Sequence, residues 1–419
     1  MITMTSGTIK VLIILVLTLF PASVFAQTRS LDFYIDAGIQ NSPLLNDLKN
    51  QLSTVSIDSL LVRAAKKPLI EAKSQALYAP YSHNFGYDEV VTDGGNYQAV
   101  AAITQNIFNR RELENKFQAL EIQKQSVGNT AKLSIAELKK TITDQYITSY
   151  SDFYDMQFNK SFLGLMYNEN EIAKRFVTSG ILNQTDYLAL LVETQGQEIL
   201  VDQLKYQFGK DLRLLNQLCG LNDTVTCELQ EPQIALSEIT DTIYSPFFRQ
   251  FEIDSLRLAN ERIALDVRYR PKINWFADAG ALSSTPENIY RHFGFSVGAS
   301  LNLPIYDGRQ KNLEIRKLSI SENTITGYRS IYKKKYDQML FQLNDELDGT
   351  GKVKIRIDKQ LATSDQLVTS LKAQLEAGQV RMTDYINAIK NLRNINRNLN
   401  LINIRILQIR NEINFLLTQ

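Results

Sequence analysis

The chain is poor in the residues that build metal and redox centres. Its 419 residues include two Cys and two His, too few soft ligands for a dedicated zinc or iron–sulfur site. Neither sign of charge is in excess: 46 Lys and Arg face 45 Asp and Glu. That balance excludes the basic footprint of an ordinary nucleic-acid binder. Long hydrophobic runs are also missing. The longest, Val11–Phe20, has ten residues, about half of what a spanning helix needs. With 44% apolar and 22% charged residues, wholesale disorder is excluded as well. Proline is scarce, nine in all, and its placement divides the chain.

Lys10, the run Val11–Phe20, Pro21 and Val24-Phe25-Ala26 have the order of a secretory signal segment with a cut after Ala26. The alternative is a buried N-terminal strand. Export without a spanning helix leads to the periplasm, the outer membrane or the outside. Cys219 and Cys227 lie eight positions apart; in such a compartment either a disulfide or two free thiols is open.

Two stretches lack proline, 81–231 and 305–419, and most of each reads as helix. Leu113, Phe117, Leu120, Val127, Ala131, Ile135, Leu138, Ile142, Tyr146, Tyr150 and Phe153 recur at steps of three, four or seven, the α-helical period. A helix from about 108 to 176 would be on the order of 100 Å long and must pack side by side with others. The pair Gly349 and Gly351 predicts a break or bulge in the second long helix.

The chain also reads as two copies of one plan. Ser42-Pro43 is echoed by Ser245-Pro246, and Lys67-Pro68 by Arg270-Pro271, each at a shift of 203. Gly180 with Thr185-Asp186-Tyr187 is echoed by Gly378 with Thr383-Asp384-Tyr385, at a shift of 198. Such ordered echoes suggest duplication. The expected organisation is a signal segment 1–26 and a first copy 27–220. That copy has a β-hairpin at about 69–107 and a helical hairpin 108–219 turning near 177–187. A connecting segment 221–244 leads to a second copy, 245–419. It has a β-hairpin at about 272–305 and a helical hairpin 308–418 turning near 375–385.

Between the paired prolines and the long helices the period changes to two. Ile273, Trp275, Ala277, Ala279 and Ala281 alternate with Lys272, Asn274, Phe276, Asp278 and Gly280. Beyond Pro286, Phe293, Phe295, Val297, Ala299 and Leu301 alternate with Gly294, Ser296, Gly298, Ser300 and Asn302. The first copy is fainter, with Ile70, Ala72, Ser74, Ala76 and Tyr78, then Tyr97, Ala99, Ala101 and Ile103. Arms of about ten residues suit tilted membrane strands, with Ile273, Trp275, Phe293, Phe295 and Val297 on the lipid side. Tyr78, Tyr97, Trp275 and Tyr290 are candidates for interfacial girdles. A soluble hairpin resting on a helix is the other reading. The expected class is mainly α with a membrane β-barrel contribution, the long helices continuing the barrel wall as a tube. Four strands cannot close a barrel, and an open edge cannot face lipid. Several copies must therefore combine, and three would give twelve strands and a lumen.

These features resemble the TolC-like outer-membrane efflux proteins. The resemblance is carried by Ser30-Leu31-Asp32 to Asn41-Ser42-Pro43, and by the junctions Asn106-Ile107-Phe108-Asn109 and Leu303-Pro304-Ile305-Tyr306-Asp307-Gly308-Arg309. The two Gly-x4-Thr-Asp-Tyr turns and Leu214–Gly220 complete it. It implies a homotrimer in the outer membrane, in contact with lipid, with a long periplasmic part. It further implies an exit duct for a tripartite efflux pump or type I secretion system, with a periplasmic adaptor and an inner-membrane transporter as partners. By the same resemblance, Gly180, Thr185, Tyr187, Gly378, Thr383 and Tyr385 belong to an adaptor-docking tip. Asp186, Asp384, Asn387 and Arg381 surround the entrance. The family's ionic lock is not matched: Val380 and Asn387 stand at its places, with Arg381 one residue off register.

From the residues alone, Thr185 and Thr383 read as helix N-caps with each Asp favoured by the helix dipole. Rings of Asp186 and Asp384 favouring cations are the compatible alternative. Gly180 and Gly378 read as left-handed C-caps. Tyr187 and Tyr385 read either as docking residues or as packing between helices. Gly349-Thr350-Gly351-Lys352 is not a phosphate loop, because Glu346 and Val353 stand at two required positions. No nucleophile–base pair or ligand set appears, so neither enzymatic activity nor a cofactor is expected. The rival reading is a periplasmic coiled-coil adaptor or scaffold, which would share the helical hairpins but need no paired strands.

Overall fold

A computed structural model describes residues 28–80, 86, 88, 94–107, 110–223, 227–237 and 245–418. The expected signal segment 1–26 and parts of the expected connecting segment 221–244 lie outside the described residues, as do Phe108 and Asn109. The elements run α1 (Leu31–Asn41), α2 (Pro43–Ala64), β1 (Leu69–Tyr78), β2 (Gly95–Ile107), α3 (Arg110–Thr178) and α4 (Gln184–Leu218). Then follow α5 (Pro246–Arg268), β3 (Lys272–Ser283), a 3-10 turn (Pro286–Arg291), β4 (Phe293–Asn302), α6 (Gln310–Glu376) and α7 (Met382–Leu416). The fold is mainly helical with a single four-stranded antiparallel sheet among the described residues. No helix among them is long and apolar enough to cross a membrane.

α3 has 69 residues and α6 has 67, each about 100 Å long at 1.5 Å per residue. The expected break at Gly349–Gly351 does not occur: α6 is helical from Gln310 to Glu376. The two glycines cost roughly 2 kcal/mol in propensity. A long helix held by lateral packing absorbs that amount without losing its backbone ladder.

The chain divides into two compact units. One comprises Pro43–Ala136, Glu238–Phe341 and Leu416–Gln419 and holds the sheet. The strand order is β1-β2-β3-β4, so β1 and β4 each have one paired edge and one open edge. In the same unit, α5 is fastened to α3 by buried amides. The Asn115 side-chain amide donates to the Asn260 carbonyl at 2.9 Å, and that of Asn129 donates to the Pro246 carbonyl at 3.0 Å. Buried amides left without partners would each cost on the order of 1–3 kcal/mol, so these pairs fix the register of the two helices. Phe248 packs edge-on against Tyr332 and Tyr336, with ring centroids 5.4 Å apart in both pairs.

The other unit comprises Met1–Ser42, Glu137–Ser237 and Gln342–Phe415. Its first core cluster gathers Tyr34, Ile142, Tyr146, Phe208, Leu212, Leu215, Cys219, Cys227 and Leu229. The Tyr146 hydroxyl lies 2.7 Å from the Gln230 carbonyl, to which it donates. Cys219 and Cys227 are both free and buried, so of the two outcomes left open by the sequence the thiols hold. Burial pushes the Cys219 thiol up to about 11, which keeps it protonated and unreactive at neutral pH. A second cluster, Phe162, Met166, Ala173, Leu190, Leu375, Met382, Tyr385, Ile386 and Ile389, lies beside the two helix-to-helix turns.

Candidate functional site: helix turns and a two-faced sheet

The α3–α4 turn is closed by glycine. Gly180 has φ +75°, and its N–H donates to the Val177 carbonyl at 3.1 Å while that of Ile181 donates to Phe176 at 2.9 Å. The α6–α7 turn repeats this arrangement. Gly378 has φ +70°, with Gly378 N–H on Leu375 O at 3.0 Å and Gln379 N–H on Gln374 O at 2.8 Å. Both satisfy otherwise orphaned helix carbonyls, and the left-handed residue is what glycine supplies without steric cost.

The N-caps differ from the sequence expectation. Asn183 precedes α4 as its N-cap, and Arg381 holds the equivalent place before α7, where its carbonyl accepts from Asp384 N–H at 3.1 Å. Thr185 and Thr383 are therefore second residues of their helices, not caps. The helices begin two residues earlier than the hydroxyl signal suggests, because the tight glycine turn reverses the chain within five residues. Asp186 and Asp384 are third residues, where a carboxylate complements the helix dipole. Asp384, Asn387, Arg381 and Thr383 are exposed, as are Gly180, Thr185 and Gly378; Asp186 and Tyr187 are half-buried.

Tyr385 is 3% exposed and sits in the apolar cluster, so its ring is packing rather than surface. Burial and the neighbouring Glu169 carboxylate raise its hydroxyl pKa. Sequence reasoning missed what surrounds it. Lys372 Nζ lies 2.6 Å from Glu169 Oε1, joining α6 to α3. Lys390 Nζ lies 2.7 Å from Glu193 Oε2, joining α7 to α4, and Arg393 donates to Gln197 Oε1 at 2.8 Å. The charged ties near the turns thus come from helix flanks rather than from Arg381, which makes no ion pair among the described residues. Residues some 200 positions apart gave no sequence signal for such pairing.

The sheet has two chemically distinct faces, and its register proves it. Ile273 stands opposite Leu301 and Ile107, Ala277 opposite Val297 and Ile103, and Ala279 opposite Phe295 and Ala101. Ile103 and Ala101 in turn face Ile70 and Ala72. Alternate residues put Glu71, Lys73, Gln98, Thr104, Asn274, Asp278 and Ser296 on the other face. There Ser296 donates to Asp278 Oδ2 at 2.7 Å, and a Cβ on Gly298 would stand 2.4 Å from the Phe276 ring. On the apolar face Phe293, Phe295 and Val297 are 78%, 83% and 73% exposed. Trp275 is half-buried, its indole N–H donating to Gln105 Oε1 at 3.0 Å, and Ile273 is exposed. A continuous exposed apolar face of this kind marks contact with lipid or another chain.

No family model matches the chain, and no curated protein matches its sequence. Its backbone nevertheless matches solved structures over nearly its whole length. It superposes on the outer-membrane channel OprN with a TM-score of 0.74 at 11% identity, covering 93% of this chain and 89% of that one. The outer membrane protein VceC from Vibrio cholerae gives 0.73 at 11% identity, covering 93% and 96%. CusC, described for its transmembrane channel formation, gives 0.73 at 10% identity, covering 94% and 93%. The chain therefore has the fold of the TolC-like outer-membrane channels.

Proposed function

We propose that the protein is an outer-membrane channel that acts as a homotrimer, the passive exit duct of a tripartite efflux pump or a type I secretion system. The observation that carries this reading is the sheet: one exposed apolar face, one polar face, and open edges on β1 and β4. Backbone groups at an open edge cannot remain unpaired in hydrocarbon. Three copies joined edge to edge would give twelve strands, apolar outside and polar around a lumen. The likeness to solved channels supports the same reading. The two strand-and-helix copies, 27–220 and 245–419, fit an ancestral duplication, each supplying one hairpin to the barrel and one helical hairpin to the tube.

On this reading the two glycine turns form the periplasmic end. Gly180, Thr185, Tyr187, Gly378 and Thr383 offer a surface to a periplasmic adaptor, with Tyr385 supporting it from beneath. Asp186 and Asp384, repeated by the three copies, ring the entrance beside Arg381 and Asn387. Energy comes from the inner-membrane transporter, and no bond is made or broken in the duct. The rival, a periplasmic adaptor or scaffold, leaves the exposed apolar sheet face unexplained.

The test is the mass of the purified particle in detergent. Three protomers with heat-dependent gel mobility are expected. A water-soluble monomer that needs no detergent would overturn the duct and favour the scaffold.

A further inference from the structure

The sheet has a basic end. Register puts Ile107, Ile273 and Leu301 on one row, while Leu69 stands opposite Thr104, three residues further into the sheet; the chain segments outside all four strands on that side leave from the same end of the sheet. The nine residues flanking each of those ends (60–68, 108–116, 263–271 and 303–311) contain ten Lys or Arg and four Asp or Glu. The two connections at the opposite end, 79–94 and 284–292, contain one Arg and four acids. In a chain of net charge +1, that contrast is local and directional.

The basic end is also amphipathic. Ile305 and Tyr306, just past β4, are 94% and 84% exposed, and an exposed Ile-Tyr pair beside Arg suits the boundary between headgroups and acyl chains. Arg309 follows at φ +68°, the one non-glycine residue with positive φ among the described residues. Asp307 holds it there: Oδ1 accepts from Arg309 N–H and Oδ2 from Lys311 N–H, both at 2.8 Å. Some of the charge is already neutralised. Arg110 pairs with Glu114 at 2.7 Å, Arg268 with Glu314 at 3.2 Å and Lys311 with Asp266 at 2.9 Å. Lys66 and Lys67 are exposed, on a segment anchored by Gln105 Nε2 donating to the Lys66 carbonyl at 2.8 Å. Arg309 is exposed and Arg270 half-buried.

We infer that Lys66, Lys67, Arg270 and Arg309 form a collar that binds anionic phospholipid headgroups of the leaflet at the helical end of the barrel, with Ile305 and Tyr306 seated just above them. This rests on the barrel reading above and adds a lipid class to it. Guanidinium and ammonium groups at headgroup depth pair with phosphate and are attracted to a negative leaflet. The strained backbone of Arg309 places a guanidinium where a glycine would be the easier residue.

Full-length protein in neutral detergent is titrated with fluorescent phosphatidylglycerol, and competed with unlabelled phosphatidylglycerol, phosphatidylcholine and inorganic phosphate. Each basic residue near an anionic surface strengthens attachment about five-fold. Lys66→Gln/Lys67→Gln should weaken binding about 25-fold, and adding Arg309→Gly, which also relieves the backbone, about 100-fold. Phosphatidylcholine and phosphate should displace the probe poorly. Equal displacement by phosphatidylcholine, full displacement by phosphate, or wild-type affinity in the double variant would overturn the collar. Particle mass is measured on the same samples: a trimer without lipid preference removes the collar and leaves the duct, whereas a detergent-independent monomer removes both.

Discussion

Lys372 on α6 reaches Glu169 on α3 at 2.6 Å, directly beside the hydroxyl of buried Tyr385. The carboxylate side chain is 14% exposed and the ammonium side chain 42%, so the two partners are not equivalent. Removing the lysine leaves a largely buried acid with only the tyrosine to offset it, whereas neutralising the acid frees an ammonium that can turn to water. Lys372→Met should therefore cost more than Glu169→Gln, about 1–2 kcal/mol against under 1 kcal/mol. The double variant should recover part of the loss. Apparent melting temperatures of the four proteins form the cycle, and equal single-variant losses would contradict the asymmetry.

Asp384 is exposed at the third position of α7, where a carboxylate complements the helix dipole; under the proposed function it would also face the entrance. Asp384→Ala should lower stability by about 0.5 kcal/mol and, in planar bilayers, reduce cation selectivity and block by multivalent cations. A loss of stability with unchanged selectivity and block would leave the capping contribution and eliminate the entrance ring.

Gly378 has open space around its missing side chain but a left-handed backbone. Substitution by alanine tests strain without a clash, and about 1 kcal/mol is expected. Gly298 tests the reverse. Its backbone is ordinary, yet a Cβ would meet the Phe276 ring at 2.4 Å, so Gly298→Ala must push that ring aside at a cost of about 1–3 kcal/mol. Gly298→Ala should be rescued by Phe276→Leu, and Gly378→Ala should not. Heat-dependent gel mobility reads the first and resistance of the turn to proteolysis the second.

What the sequence disclosed is what periodicity encodes. Alternation around Ile273 and Phe295 marked strands and the faces they present, and the 3.6-residue recurrence from Leu113 to Phe153 marked a long helix. Spacing alone carried Gly180 and Gly378 to their left-handed turns. It could not fix the caps, because hydroxyls at Thr185 and Thr383 and the amide of Asn183 are all plausible cap groups and turn geometry decides among them. Gly349 and Gly351 misled because propensity is a small term beside the packing of a helix 67 residues long. Ties such as Asn115–Asn260 and Lys372–Glu169 join residues 145 and 203 positions apart, and only the fold brings them together.

One further pairing sets a pH response. Asp152 on α3 faces Asp211 on α4, and one oxygen of Asp152 is buried without a hydrogen-bond partner. Burial first, then the adjoining Asp211 carboxyl, pushes Asp152 up to about 7, whereas an unfolded aspartate titrates near 4. Asp211 is itself engaged by Gln207 Nε2 at 2.7 Å. Asp155 adds negative charge, and Lys210 partly opposes it. Because the folded state holds this proton more tightly than the unfolded chain, the contribution of Asp152 to stability falls as pH rises from about 4 to 7 and returns on acidification. Asp152→Asn keeps the shape and removes the ionisation. It should therefore raise the apparent melting temperature at pH 8, by an amount corresponding to about 1–3 kcal/mol, with the gain fading to nothing near pH 4. A gain that is independent of pH would mean that packing, not the shared proton, is responsible.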